Sequence, residues 1–218
     1  CTTGIEGKLG YANNLTVTDN TGDGLSLSSS LCIENSNISS NGGHGIAITA
    51  NIDMDNCVIL NNMGNGVILS NGGSIKNSII ADNRGNGTCI LGSATMENTT
   101  ISSNGGDGIW TKSSTSVAKC NITRNEKNGV RGGYVDGSMI IQNSNISYNA
   151  ADGIWTNSSV EIKGCDITYN EGDGIIAANI AHMTVSQSNI RNNTLSGLSG
   201  SGYVFNSTVS GNKLCGIS

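Results

Sequence analysis

An all-β chain wound as a right-handed, single-stranded parallel β-helix of about ten 21-residue coils is the fold class that the sequence predicts. The first observation behind this is a recurring asparagine, followed four residues later by a glycine. The asparagines are Asn20, Asn41, Asn62, Asn83, Asn104, Asn125, Asn149, Asn170, Asn193 and Asn212, and the glycines run in step from Gly24 to Gly216. Five intervals of 21 residues are followed by intervals of 24, 21, 23 and 19. A period of this length across the whole chain is the mark of a solenoid. The second observation is an aliphatic residue three positions before every one of these asparagines, from Val17 and Ile38 to Ile190 and Val209. The third is strict alternation around further apolar anchors, as in Ile46-Ala47-Ile48 and Val67-Ile68-Leu69, which is strand periodicity with one face buried.

With the asparagine as position zero, the elements of a coil follow in order. Position +5 is aliphatic in nine coils, with Thr88 the exception, and anchors one strand. A second strand centres on position −8, occupied by Ile33, Met54, Ile75, Met96 and Val204 among others. A third centres on position −3. Asn, Gly and Asp fill the joints, where left-handed backbone is expected. Parallel coils stack at about 4.8 Å, so ten of them make a rod about 50 Å long. Parallel crossovers are right-handed in nearly all cases, which sets the predicted hand. Stacking places the ten asparagines in one column, where side-chain amides form a ladder. A second, looser column at −6 holds Asn14, Asn35, Asn56, Asn77, Asn98, Asn143 and Asn206. A leucine-rich repeat has a similar period, but its LxxLxL signature is missing.

The repeats "NSNISSNGGHGI", "NTTISSNGGDGI", "NSNISYNAADGI" and "GCDITYNEGDGI" resemble the parallel β-helix repeats of the pectin-lyase-like superfold. The resemblance covers essentially the whole chain and implies one β-helix domain over residues 1–218. The superfold includes polysaccharide lyases, hydrolases, epimerases, adhesins and surface proteins, so it implies no single activity. The Asn/Ser/Thr-rich composition also resembles the style of archaeal and bacterial surface-layer or sheath proteins.

Enzymes of the superfold imply clustered carboxylates, often with Ca²⁺ and a basic residue. The candidates are Asp23, Asp107, Asp152 and Asp173 at position +3, with Glu171 near the last two. The alternative is a corner preference, since the same slot holds Asn65, Asn86, Asn128 and Ser196. Gly43-His44-Gly45-Ile46 is similar to the Gly-His-Gly element of polygalacturonases, but no paired aspartates precede it and His44 sits in the ordinary +3 slot. His182 shows no partner in the sequence. A chain without proline has no Asp-Pro-His-Glu motif of the alginate epimerases. No catalytic, metal or cofactor site is therefore expected.

Composition narrows the partners. The formal net charge is −5 with no basic run, which argues against nucleic acid. No apolar stretch is long enough for a membrane-spanning helix. Position +6 faces outward and reads Ser26, Ala47, Ile68, Cys89, Trp110, Arg131, Trp155, Ile176, Ser199. Ile68, Trp110, Arg131, Trp155 and Ile176 form a candidate stripe, with Arg131 between the two indoles as a cation–π partner. Such a stripe reads either as a lateral seam between copies or as a wall on which sugar rings stack.

Seven cysteines are an odd number. Cys57, Cys120 and Cys165 share the inward −5 slot on coils too far apart to pair, and are expected as buried free thiols. Cys1, Cys32, Cys89 and Cys215 are candidates for intermolecular disulfides, with simple exposed thiols as the alternative. Nine Asn-X-Ser/Thr sequons occur, of which Asn37, Asn121 and Asn145, in the outward −4 slot, are the better glycosylation candidates. No cap is evident at either end, which reads as a cut from a longer helix, as end-to-end stacking, or as a lipid-modified Cys1. These features lead to an expected non-enzymatic extracellular structural protein that assembles with copies of itself at a cell surface. A carbohydrate-binding or polysaccharide-modifying module is the second expectation, with a cell-surface polysaccharide as partner.

Overall fold

A computed structural model describes residues 2–133 and 137–218. Its thirty strands form three ten-stranded sheets, every strand pairing in parallel with its counterpart one coil away. In the coil that follows Asn41, the second counted from Asn20, these strands are Ile46–Ile48, Asn51–Asp55 and Val58–Leu60, one for each sheet. No helix occurs among the described residues. The register joins like to like: Ile46 pairs with Val67, Met54 with Ile75, and Ile59 with Ile80.

The three predicted apolar columns line the interior. Ile33, Ile38, Ile46, Ile59, Ile75, Ile80, Ile101, Ile122 and Ile154 have no exposed surface at all. Full burial of each such side chain stabilises the fold by about 2 kcal/mol. Departures from the 21-residue period fall at one joint, between the first and second sheets. Val130–Gly132 leads to Ser138–Gln142 in the long sixth coil, and Leu198–Ser199 leads almost directly to Ser201–Phe205 in the short ninth. Length variation there leaves the core columns in register.

The asparagine column forms an unbroken internal ladder. Each Nδ2 donates to the Oδ1 of the next coil's asparagine, in nine bonds of 2.9–3.0 Å. The second Nδ2 hydrogen goes to the carbonyl of the previous coil's −3 residue, as from Asn104 to Ile80 O at 3.2 Å. The Oδ1 also accepts the backbone N–H of the preceding asparagine, as from Asn83 to Asn104 at 3.2 Å. A carboxamide is the side chain that both donates twice and accepts twice, and from Asn41 to Asn193 it does so while buried.

Left-handed backbone is found at the joints, as expected, and falls at positions −6 and −1. The repeating +4 glycine does not adopt it. All seven asparagines of the −6 column have φ between 48° and 53°. Position −1 is left-handed throughout, from Asp19 and Ser40 to Tyr148, Tyr169 and Asn192. The +4 glycine is required by close approach: a Cβ on Gly45 would lie 2.6 Å from Gly66 O and 2.6 Å from Ile59 Cγ2. The mixed Asp/Ser/Asn content of position −1 was the signal for its conformation.

Thr88 breaks the aliphatic +5 column, and its buried Oγ1 has no hydrogen-bond partner among the described residues. Replacing the hydroxyl by a methyl removes an unsatisfied polar atom at nearly constant volume. Thr88→Val is therefore expected to stabilise the fold by about 1 kcal/mol. Chemical denaturation measures it, and a loss of stability would show that the hydroxyl is satisfied in solution.

Candidate functional site

The +6 residues form one outward column on the first sheet, in the register Ile68–Cys89–Trp110–Arg131–Trp155–Ile176. All are half-buried against their neighbours. Arg131 Cζ lies 5.2 Å from the Trp155 ring centroid, and Lys112 Nζ lies 5.4 Å from that of Trp110. Each indole thus has its own cation.

The +3 column has a structural task. Each side chain accepts the backbone N–H of the next coil's +3 residue: Asp23 Oδ1 from His44 at 2.7 Å, Asn65 Oδ1 from Asn86 at 2.7 Å, and Asp152 Oδ1 from Asp173 at 2.8 Å. His44 joins the series, its Nδ1 accepting from Asn65 N–H at 2.9 Å. That bond holds the imidazole as the Nε2–H tautomer and occupies the nitrogen facing the protein. Asp, Asn and His share the slot because each offers a short-armed acceptor. Among the described residues, no three His, Cys, Asp or Glu side chains converge on a metal site.

Asp152 is a partly buried carboxylate close to a second one, Asp173. Burial raises its pKa above the ordinary aspartate value, and the Asp173 charge adds to this, while the Asp173 N–H opposes it. The folded chain therefore holds this proton more tightly than the unfolded chain. Its contribution to stability falls as pH rises beyond the unfolded aspartate range, near about pH 4. Asp152→Asn keeps the acceptor for Asp173 N–H and removes the charge. It is expected to raise the melting temperature at neutral pH, with the gain shrinking on acidification. A gain independent of pH would refute this origin.

His182, without a partner in the sequence, has one in the structure: Ser201 Oγ lies 3.0 Å from its Nδ1, one coil away on the second sheet. The pair is exposed, and no carboxylate is seen to orient the imidazole. The spacing of 19 between the two residues hid the contact, because this coil is short.

The described cysteines are all free thiols, and Cys1 lies outside the described residues. Cys57, Cys120 and Cys165 are buried at −5. Their Sγ atoms lie 3.2–3.4 Å from the carbonyls of Asp55, Ala118 and Lys163, where Ser36 and Ser78 place hydroxyls in equivalent bonds. These thiols substitute for serine in an internal column. Burial holds all three above the ordinary thiol range, Cys165 up to about 11. Cys32 and Cys89 are half-buried and also raised, chiefly by desolvation, with the Glu34 and Asp53 charges adding at Cys32. Cys215 is exposed. Of the −4 sequons, Asn37 and Asn121 are exposed, whereas Asn145 is half-buried with its amide donating to Asn121 Oδ1 at 2.7 Å.

The most site-like concavity was not foreseen. It is a trench along the outer face of the second sheet, made of two wells of about 500 and 540 Å³ that share Asn51, Gly73 and Thr95. Its centre line is the outward −9 column, Cys32–Asp53–Ser74–Thr95–Ser116–Ile140, in continuous register. Ser93, Ser114 and Ser138 add hydroxyls along one side. The floor dips at Gly73, where φ is 141° and a Cβ would meet Ile52 O at 2.1 Å. Ser74 Oγ is buried there without a partner among the described residues. The run Asn71-Gly72-Gly73-Ser74, where other coils carry an apolar side chain, was the available signal.

The family model described as the right handed beta helix region matches residues 113–218. Solved structures extend the likeness to nearly the whole chain. The A-module of mannuronan C-5 epimerase AlgE6 from Azotobacter vinelandii superposes over 94% of this chain and 73% of its own, with a TM-score of 0.65 at 15% identity. The fold is the parallel β-helix. The AlgE4 A-module from the same organism aligns over 95% of this β-helix and 61% of its own length, with a TM-score of 0.62 at 14% identity. A pectate lyase aligns over 85% and 55%, with a TM-score of 0.51 at 14% identity. At these identities the likeness is one of fold. No curated protein matches the chain.

Proposed function

We propose that this β-helix is a polysaccharide-binding module of the cell surface or extracellular space, with the glycan lying along the second-sheet trench. The observation that carries the reading is the trench itself, an open channel along the coil axis in which hydroxyl and amide groups are spaced along a largely apolar floor. It crosses about six coil spacings from Tyr11 to Ile140, or roughly 29 Å. A coil rise of about 4.8 Å is close to the length of one pyranose ring, so a chain lying parallel to the axis meets a fresh set of side chains at each sugar. The structural neighbours, named as a mannuronan epimerase and a pectate lyase, carry polysaccharide chemistry on the same fold. Among the described residues that line the two wells, Asp53 has no lysine, arginine or histidine beside it, and binding is the better-supported part of that chemistry. Native gel electrophoresis through immobilised polysaccharides tests the proposal: retardation supports it, and unaltered mobility in every polymer refutes it.

A second reading, a structural protein that assembles with its own copies, is favoured by the half-buried Ile68–Ile176 stripe. It predicts concentration-dependent association that Trp155→Ala weakens, and sedimentation as a single species would remove it.

A further inference from the structure

We infer that the trench is built for a neutral, hydroxyl-rich glycan and not for a polyuronate, an inference that rests on the polysaccharide-binding reading above. Among the described residues, those lining the two wells include no lysine, arginine or histidine. The only carboxylate is Asp53, which sits beside Cys32 in the central column. A uronate chain brings one carboxylate per sugar. A smaller hollow that shares Cys32 and Asp53 adds Lys76 together with Glu34 and Asp55, so each uronate would lose water in net acidic surroundings, and the nearest would face Asp53. The formal charge of −5 adds long-range repulsion. The cations that stand over the indoles, Lys112 and Arg131, belong to the first sheet and line neither well.

The groups that are present suit sugar hydroxyls. Serine, threonine and asparagine both donate and accept, matching the dual character of an alcohol. Ser74 Oγ, buried and unpartnered in the second well, is a polar atom whose partner a ligand would supply. At one end Tyr11, 57% exposed, precedes Cys32 in the same column and offers a ring face to the C–H side of a sugar. At the other end Ile140 offers an apolar stop.

The test uses the full chain in native gels containing a soluble neutral glucan, a galactomannan, an alginate or a polygalacturonate. Retardation by a neutral polymer, insensitive to added salt, with none by the two polyuronates, is the expected result. Ser74→Ala is expected to weaken neutral binding about fivefold with no loss of melting temperature, since it deletes one ligand hydrogen bond and no internal one. Thr95→Arg, at an exposed mid-trench position, is expected to weaken neutral binding and to admit polyuronate. Preference of the unmodified chain for polyuronates would overturn the inference and leave the polysaccharide reading standing. So would neutral binding that survives both trench variants and disappears in Trp155→Ala, which would move the ligand to the first sheet. Retardation by none of the four polymers would overturn the polysaccharide reading itself.

Discussion

Asn104→Ala is expected to cost about 4 kcal/mol of folding stability, the largest effect of any single side-chain truncation in the middle of the rod. The residue is fully buried and makes no contact with solvent that could compensate. Its removal strands two groups on the preceding coil, Asn83 Nδ2, which donates to Asn104 Oδ1 at 3.0 Å, and Asn83 N–H, at 3.2 Å, and it takes a second donor from Ile80 O, at 3.2 Å. Asn125 Oδ1 keeps one of its two donors, the backbone N–H of residue 104 at 3.1 Å. Each buried group left unpaired costs about 1–3 kcal/mol, and the lower end applies where water enters the vacated space. Denaturant titration measures the loss. The same substitution at Asn212, which has no asparagine of a further coil above it in this chain, is expected to cost less than half as much. Equal losses at the two sites would show that the ladder bonds do not act as a buried network.

Most of the fold was legible because the repeat samples each structural slot ten times. A column of Ile and Val at −3 has one physical reading, and repetition removes the ambiguity that a single short apolar run carries. The ladder was legible for the same reason, since an asparagine held in every coil points to its carboxamide and not to its backbone. The second-sheet trench was not legible, because the outward columns vary from coil to coil. Cys32, Asp53, Ser74, Thr95 and Ser116 look unrelated in the sequence, and only the register shows that they stand in one line. The +3 aspartates are the opposite case, conspicuous in the sequence but structural at the corner. Their conspicuous Asp-Gly pairs read as possible chemistry, yet the side chains are spent on N–H groups one coil away. The Trp110 and Trp155 column is intermediate: its line was readable from the period, whereas the separate cations over the two rings needed coordinates.

Gly66→Ala is expected to destabilise the fold by about 3 kcal/mol or more, although it adds one methyl group to a residue whose backbone is not left-handed. The added Cβ would lie 2.5 Å from Ile80 Cγ2, 2.6 Å from Gly87 O and 2.9 Å from Asn83 Nδ2. None of these can retreat cheaply. Gly87 O accepts Val67 N–H at 3.0 Å, Asn83 belongs to the ladder, and Ile80 is fully buried in its column. Relief requires coils three and four to separate, which stretches parallel pairing on both sides of the clash. Overpacking of a rigid interior costs about 1–3 kcal/mol, and here a backbone carbonyl is among the groups displaced. Gly10→Ala is the matched control, because a Cβ there meets nothing within 4 Å. Melting temperatures of the two variants decide the matter. A Gly66→Ala protein as stable as Gly10→Ala would mean that the +4 glycine is kept for some reason other than coil spacing. A large drop confined to Gly66→Ala would establish that the asparagine and the glycine of each repeat are one device, the amide setting the bond between coils and the missing side chain setting the distance at which that bond can form.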